Sequence, residues 1–185
     1  MEQDLNISGL KELNAFLAQL PVKLRRNVVR GALRAGIKLI YQDARTNCPV
    51  GQPSATGRRR YKLYEGALRD SIRISVKAKG SYVRASVLVG GKVKKTGVDV
   101  FYAHLIEFTG AGAHEIVARK YGSLFIGGLF RKAAHHPGIS PHPFLRPAFD
   151  KNQSTAVIAA GNYMKNRLAT KEGLDTADIT IAEEE

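Results

Sequence analysis

The sequence has little of what secreted, membrane-spanning and disulfide-linked proteins need. It contains one cysteine, Cys48, so no disulfide can form within the chain. It contains no run of about 18 apolar residues, so neither a transmembrane helix nor a membrane partner is predicted. Residues 1–4 lack the positive segment that opens a signal peptide. The lone cysteine is compatible with assembly inside a cell.

Signatures of nucleophilic catalysis and of phosphate binding are also missing. Cys48 precedes Pro49 and has no histidine near it in the sequence, so it lacks the general base that activates a nucleophile. The glycine-rich residues 109–112 follow no predicted strand and lack the Lys-Ser/Thr pair of a phosphate-binding loop, which indicates a turn. No aromatic signature of an RNA-binding module occurs.

Histidines offer two weak candidates for chemistry. His135, His136 and His142 lie close together in sequence, but no cysteine or carboxylate stands at ligand spacing among them, which favours surface histidines over a metal site. His104 and Glu107 lie three residues apart on a predicted helix, where packing is a commoner cause of such spacing than acid–base catalysis. The sequence therefore predicts no enzyme, no metal and no cofactor.

Positive charge is abundant and unevenly distributed. All 29 lysines and arginines precede Glu172, whereas six of the 16 acidic residues lie at Glu172 or later, so the body carries +19 and the tail −6. Such a body attracts a polyanion or an acidic protein surface, although a cationic surface also serves solubility alone. Residues 1–171 are predicted to form one domain, and residues 172–185 a disordered acidic tail.

Two helices are predicted at the start of the chain. Leucines at helical spacing indicate a short helix that begins near Ser8 and ends at Pro21, and a longer helix runs from Pro21 to about Asn47. The apolar stripe of the longer helix is expected to consist of Val22, Val29, Leu33, Ile37 and Ile40. Basic residues repeat every four positions on another face: Arg26, Arg30, Arg34 and Lys38. This line is either a solvated face or a docking strip for carboxylates or phosphates.

A hairpin can be predicted in register. Residues 71–79 and 82–89 flank Gly80-Ser81, a two-residue turn with glycine first. The expected pairs are Ala78–Val83, Val76–Ala85, Ile74–Val87 and Ile72–Val89 on one face, with Lys77–Arg84 and Ser75–Ser86 on the other. A slip of one residue would move the basic side chains into the core, so the register is strongly specified.

The remaining segments complete an α+β pattern. Residues 49–62 and 90–97 are predicted loops, and the first contains the cluster Arg58, Arg59 and Arg60. A short helix is predicted over 100–108, a second hairpin from 115–118 and 124–126, and a last helix over 147–170. The fold class is therefore α+β: a small antiparallel sheet covered on one face by the long N-terminal helix and the C-terminal helix.

Five short phrases occur in order along the chain: Gly9–Leu13, Cys48–Gly51, Gly66–Ile72, Tyr102–Phe108 and Pro143–Ala148. In this order they resemble the siphovirus-type phage neck proteins, a family of head–tail joining (tail-completion) morphogenesis proteins. The resemblance covers residues 9–170. It implies a structural virion protein located in the neck or tail and made in the cytoplasm of a bacterial host.

The resemblance also implies partners. Copies of such proteins assemble as a ring, here expected to contain six or twelve, around the channel that joins head to tail. The neighbours implied are a head connector or adaptor and tail terminator or tail tube proteins, and the channel position allows contact with packaged DNA. Two other functions stay open from the residues alone: sequence-nonspecific nucleic-acid binding through the basic face, and a small hydrolase that uses His104 and Glu107.

The phrases contain residues with either a packing or an interface role. Those expected in the core are Leu68, Ile72, Leu105, Phe108, Phe144 and Phe149. Glu107 and Arg146 are expected to lock a helix to a loop or to contact a neighbour. The full set of interface candidates is Arg26, Arg30, Arg34, Arg58, Arg59, Arg60, Glu107 and Arg146.

Overall fold

The computed structural model describes residues 7–51, 64–80, 82–110, 112–118, 122–126, 128–138 and 140–183. The helices in these ranges are α1 (Leu10–Gln19), α2 (Val22–Asn47), α3 (Ala67–Ser71) and α4 (Leu145–Glu172). None of these described helices has both the length and the apolar character needed to cross a membrane. The described strands form small two-stranded antiparallel sheets, and the predicted α+β class is confirmed.

The two long helices, α2 and α4, pack along each other at the centre of the fold. The buried residues of α2 are Val28, Ala32, Gly36, Ile40 and Ala44. A methyl group on Gly36 would collide with the carbonyl oxygen of Ala156 in α4, so the two backbones come into contact there. The predicted stripe is wrong at its start, because Val22 is 59% exposed. Ile40 is buried as predicted, whereas Ala32 and Gly36 lie one position before the predicted Leu33 and Ile37. The small residues at these two positions let α4 approach closely.

The hairpin of β1 (Arg73–Lys79) and β2 (Tyr82–Leu88) has the predicted register, with Ile74 opposite Val87 and Lys77 opposite Arg84. Gly80 in its turn has φ 59°, a conformation that glycine adopts without steric cost. Both strands pack against α2. The hairpin therefore forms a second layer beside the helix pair, with its basic face outward.

A second short hairpin, of β3 (Gly91–Lys92) and β4 (Asp99–Val100), lies where a loop was predicted. Val93 and Val98 on either side of its turn are each 5% exposed, and the backbone N–H of Val93 donates to the carbonyl oxygen of Val98 at 2.8 Å. The predicted helix over 100–108 is confirmed in part: Val100 belongs to β4, whereas residues 103–109 are helical and contain a π-helical turn at Leu105–Thr109. Buried valines thus outweigh the basic, glycine-containing composition that suggested a loop.

The described residues between 112 and 138 form a two-part β-arm. Strand β5 (His114–Val117) pairs with β8 (Ala133–His136), and β6 (Leu124–Ile126) pairs with β7 (Leu129–Arg131). The predicted hairpin between 115–118 and 124–126 is therefore wrong, because each segment pairs with a later one. None of the described residues of the β-arm is buried, so it has no core of its own.

Two buried clusters hold the body together. One surrounds Phe144 and includes Leu68 and Ile72, so these three phrase residues lie in the core as predicted. The prediction is wrong for Phe108 and Phe149, which are 70% and 52% exposed. The second cluster joins α1, α2, α4 and the C-terminal segment through Leu13, Leu17, Val28, Leu168, Ile179 and Ile181.

The acidic C-terminal segment differs from the expected disordered tail over residues 174–183. Ile179 and Ile181 are 7% and 9% exposed and belong to the second cluster. Lys165 Nζ in α4 donates to the carbonyl oxygen of Ile179 at 2.6 Å, and Ile7 forms a β-bridge with Glu183. Alternating isoleucines therefore fix a segment whose acidic composition alone suggested disorder.

Candidate interaction surfaces

Glu107 is a buried carboxylate that caps helix α4 from outside the helix. The residue is 3% exposed. Its Oε2 accepts hydrogen bonds from the backbone N–H groups of Phe144 and Leu145, both at 3.0 Å, and its Oε1 accepts one from Arg146 at 2.9 Å. The first turn of a helix leaves such N–H groups without helical partners, and the helix dipole favours a negative charge there. We call this arrangement the Glu107 anchor.

Two of the sequence phrases, Tyr102–Phe108 and Pro143–Ala148, meet at the Glu107 anchor. Beside it, the backbone N–H of His142 donates to the carbonyl oxygen of Ile106 at 2.7 Å. Glu107 and Arg146 are joined through the backbone N–H of Arg146. The side chain of Arg146 is 81% exposed, and its Nε lies 3.9 Å from Asp150 Oδ2. An exposed ion pair of that kind contributes little to stability. The Arg146 guanidinium is therefore available for contact with another protein.

The structure places the two histidine candidates for chemistry in separate surroundings. His104 Nδ1 lies 3.0 Å from the carbonyl oxygen of Phe101, while both oxygens of Glu107 serve α4, so the two residues form no acid–base pair. On the β-arm, His135 Nδ1 lies 3.0 Å from Glu115 Oε1. Within the described ranges, no group of three or more His, Cys, Asp or Glu side chains is placed to hold a metal ion.

Cys48 is a core residue, 5% exposed. Burial raises the pKa of its thiol to about 11, against the opposing influence of the nearby Arg69 and Arg45 guanidinium groups. The thiol is therefore protonated at neutral pH, and a protonated, buried thiol is a poor nucleophile.

Helix α2 carries a basic line on its solvent-facing side, formed by the exposed residues Arg26, Arg30, Arg34 and Lys38. At a rise of about 1.5 Å per residue the line is about 18 Å long. Arg26 Nη2 donates to the carbonyl oxygen of Gly80 at 2.8 Å and so ties the hairpin turn to the helix. The structure thus brings three of the predicted interface arginines onto one surface. Arg58, Arg59 and Arg60 lie outside the described residues.

The outer end of the β-arm exposes large apolar side chains. Phe125 and Phe130 are 57% and 76% exposed, and Leu129 is 59% exposed. The two rings contact each other across the β6–β7 pair, with centroids 5.0 Å apart. We call Phe125, Ile126, Leu129 and Phe130 the arm tip. The sequence signal that would have found it is the apolar, glycine-containing run 124–130, which fits neither a buried strand nor a polar loop.

An apolar groove lies between α2, α4 and the β1–β2 hairpin. Its larger part has a volume of about 410 Å³, and the only polar side chain among the described residues that line it is Gln153. An adjoining part of about 250 Å³ shares Ile37, Ile40, Ala85 and Phe149 with it. Sequence reasoning missed this groove, because it forms only where separate elements meet: α2, α4, the hairpin and the start of α1 at Leu10.

A comparison with protein-family models identifies the scaffold. The model described as "Bacteriophage HK97-gp10, putative tail-component" matches residues 11–108, more than half of the chain. The chain belongs to the HK97-gp10-like family. The resemblance to phage neck and tail-completion proteins is thereby confirmed at the level of the family, and this tail-component family places the chain among the structural proteins of the virion. No curated protein and no solved structure matches the chain. The matched segment contains α1, α2, β1–β4 and Glu107, and it ends before the β-arm and α4.

Proposed function

We propose that this HK97-gp10-like protein acts at the junction of the phage head and tail, where six or twelve copies form a ring around the DNA channel. The observation that carries the proposal is the exposed arm tip on the scaffold of a phage tail component. Exposed apolar patches of this kind mark contact surfaces. A protein that keeps such a surface outside its core therefore needs neighbours in its working state, and the neighbours of a tail component are other virion proteins.

The basic line of α2 supports a second contact. It lies on the solvent-facing side of a helix whose opposite side packs on α4, so a partner can bind it without disturbing the core. An acidic surface on a head connector, an adaptor, a tail terminator or a tail tube protein would fit this line, as would DNA passing through the channel. Neither role requires an enzymatic activity.

The test uses a double charge reversal, Arg30→Glu with Arg34→Glu, which spares the bond from Arg26 to the hairpin turn. Lys94→Glu with Lys95→Glu is the matched control, because it makes the same charge change at exposed positions of the β3–β4 turn. Each variant is supplied to a phage that lacks this chain, and joined particles are counted by negative-stain electron microscopy. We expect separate heads and tails with the α2 variant and joined particles with the control. Normal joining in the complete absence of the chain would overturn the proposal.

The nucleic-acid alternative makes an opposite prediction for the purified protein. If DNA binding were the function, the wild type would bind duplex tightly at physiological salt, with an affinity that falls steeply as salt rises. Fluorescence anisotropy with a labelled duplex measures this for the wild type and for the Arg30→Glu, Arg34→Glu variant. Tight binding that the variant loses, together with normal head–tail joining by that variant, would replace our proposal with the alternative.

A further inference from the structure

The arm tip exposes a patch of apolar surface to water. Because an aromatic side chain presents roughly 200 Å², the 57% and 76% exposure of Phe125 and Phe130 leaves roughly 250 Å² uncovered on these two rings alone. A standard interface removes about 800 Å² from each partner. The rings therefore supply about a third of one side of such an interface, and Ile126 and Leu129, 43% and 59% exposed, extend the patch.

The same chain also has a concave apolar surface, the groove between α2, α4 and the β1–β2 hairpin, that could receive an apolar arm tip. The apolar groove measures about 410 Å³ in its larger part, within the range of about 300–1,000 Å³ found for pockets that hold compact ligands. Phe149, 52% exposed, lines both parts of the groove. Aromatic anchors in apolar pockets are the arrangement that dominates the energy of protein interfaces.

We propose that the arm tip of one copy seats in the apolar groove of the next copy, with Phe125 and Phe130 as the anchors. This inference rests on the proposed function and names the contact that builds its ring. The arm tip and the groove are different surfaces of one chain, so the contact is heterologous. Each copy gives its arm to one neighbour and receives the arm of another, and such a series closes into a ring when the rotation between copies permits.

The charge of the chain gives this contact a distinctive salt dependence. Each copy carries +13, so copies repel one another at long range. Salt screens that repulsion, so an apolar contact between copies strengthens as salt rises. Binding to an acidic protein or to DNA weakens instead. The sign of the salt effect therefore separates a second copy from the other occupants of the arm tip.

Cysteine cross-linking tests the contact directly. In a Cys48→Ala background, one protein carries Leu129→Cys in the arm tip and another carries Phe149→Cys in the groove, so both aromatic anchors remain. The two are mixed at low and at high salt and treated with a short bifunctional maleimide. We expect a cross-linked dimer from the mixture, stronger at high salt, and little from either protein alone. Tyr82→Cys, on the hairpin and 58% exposed, replaces Phe149→Cys in the control mixture.

A second measurement compares self-association of the wild type with two double variants by sedimentation velocity. Phe125→Ser with Phe130→Ser removes the anchors and is expected to weaken association about 30-fold or more, as loss of interface hot spots does. Phe101→Ser with Phe108→Ser is the control, since these residues are 65% and 70% exposed outside the β-arm. This control is expected to associate like the wild type.

The outcomes distinguish failure of the contact from failure of the function. Rings that form equally well with the anchorless variant, or cross-links only between two Leu129→Cys copies, would overturn the contact and leave the head–tail role standing. Absence of any cross-link in the mixture at both salt concentrations would also overturn it. If phage particles join without the chain, the proposed function fails whatever the cross-links show.

Discussion

The Glu107 anchor allows one substitution to be worked out in detail. In Glu107→Gln, the amide oxygen can keep the bonds from Phe144 and Leu145, but the amide nitrogen then faces the N–H of Arg146, now 2.9 Å from a donor instead of an acceptor. Leaving one buried N–H without an acceptor costs about 1–3 kcal/mol. Losing the charge at the start of α4 costs about 0.3–1 kcal/mol more, and up to about 2 kcal/mol at partly buried sites. We therefore expect the free energy of unfolding to fall by about 2–4 kcal/mol.

Urea unfolding, followed by far-UV circular dichroism, measures this change, with Glu12→Gln as the matched control. Glu12 is an exposed carboxylate in the first turn of α1, so its loss reports the ordinary dipole effect of about 0.3–1 kcal/mol. Hydrogen exchange gives a local readout, because the amides of residues 144–146 should exchange faster in Glu107→Gln than in the wild type. If Glu107→Gln and Glu12→Gln had the same unfolding free energy, the capping role of Glu107 would be refuted.

Three further changes test the packing of the body. Gly36→Ala is expected to lower the free energy of unfolding by about 1–3 kcal/mol, because the collision of the added methyl group with the Ala156 carbonyl oxygen outweighs the gain in helix propensity. If urea unfolding showed this variant to be more stable than the wild type, the close contact between α2 and α4 would be contradicted. Ile181→Ala is expected to cost about 2–5 kcal/mol, whereas a disordered tail predicts almost no change in the same assay. Burial raises the pKa of the Cys48 thiol from 9.0 to about 11, so the folded chain binds this proton more tightly than the unfolded chain does. The resulting contribution to the free energy of unfolding is fully present below pH 9 and is lost as the pH rises towards 11. Cys48→Ala should therefore show a shallower fall in unfolding free energy with alkaline pH, and an unchanged slope would argue against this account.

Local features of the fold could be predicted from the sequence, and features that depend on distant partners could not. The β1–β2 register follows from alternation and a glycine turn within a few residues, so Ile74 and Val87 were placed opposite each other correctly. The α2 stripe was correct at Ile40 and displaced by one position before it. An apolar count ignores residue size, which decides how closely α4 approaches Gly36. The C-terminal segment was misjudged because its acidic residues outweighed the alternation of Ile179 and Ile181.

Among the interaction surfaces, the basic line could be predicted from the sequence, whereas the β-arm pairing and the apolar groove could not. The basic line was found because four-residue spacing determines a helix face directly. The partners of Glu107 lie 37 to 39 residues away in sequence. Arg146 was named beside Glu107 from the sequence phrases, but the capping of α4 through backbone N–H groups was not predicted, because nothing local to Glu107 specifies it. The β-arm was mispaired because its short strands have similar apolar character, so several pairings satisfy the same pattern. The apolar groove requires the relative placement of α2, α4 and the hairpin, which is a property of the assembled fold.

The bond between His142 and Ile106 beside the Glu107 anchor has a consequence for how this protein can evolve. The segment that contains the β-arm leaves the body just after Ile106 and returns to it at His142, and this hydrogen bond, 2.7 Å from donor to acceptor, joins its two ends. A segment closed in this way can be lengthened, shortened or exchanged at a small cost in loop-closure entropy, while the helices that receive it stay unchanged. The β-arm also lies beyond the segment matched by the family model, residues 11–108. We therefore expect that the arm can be exchanged while the body stays unchanged, and that a body with a different arm would contact different neighbours.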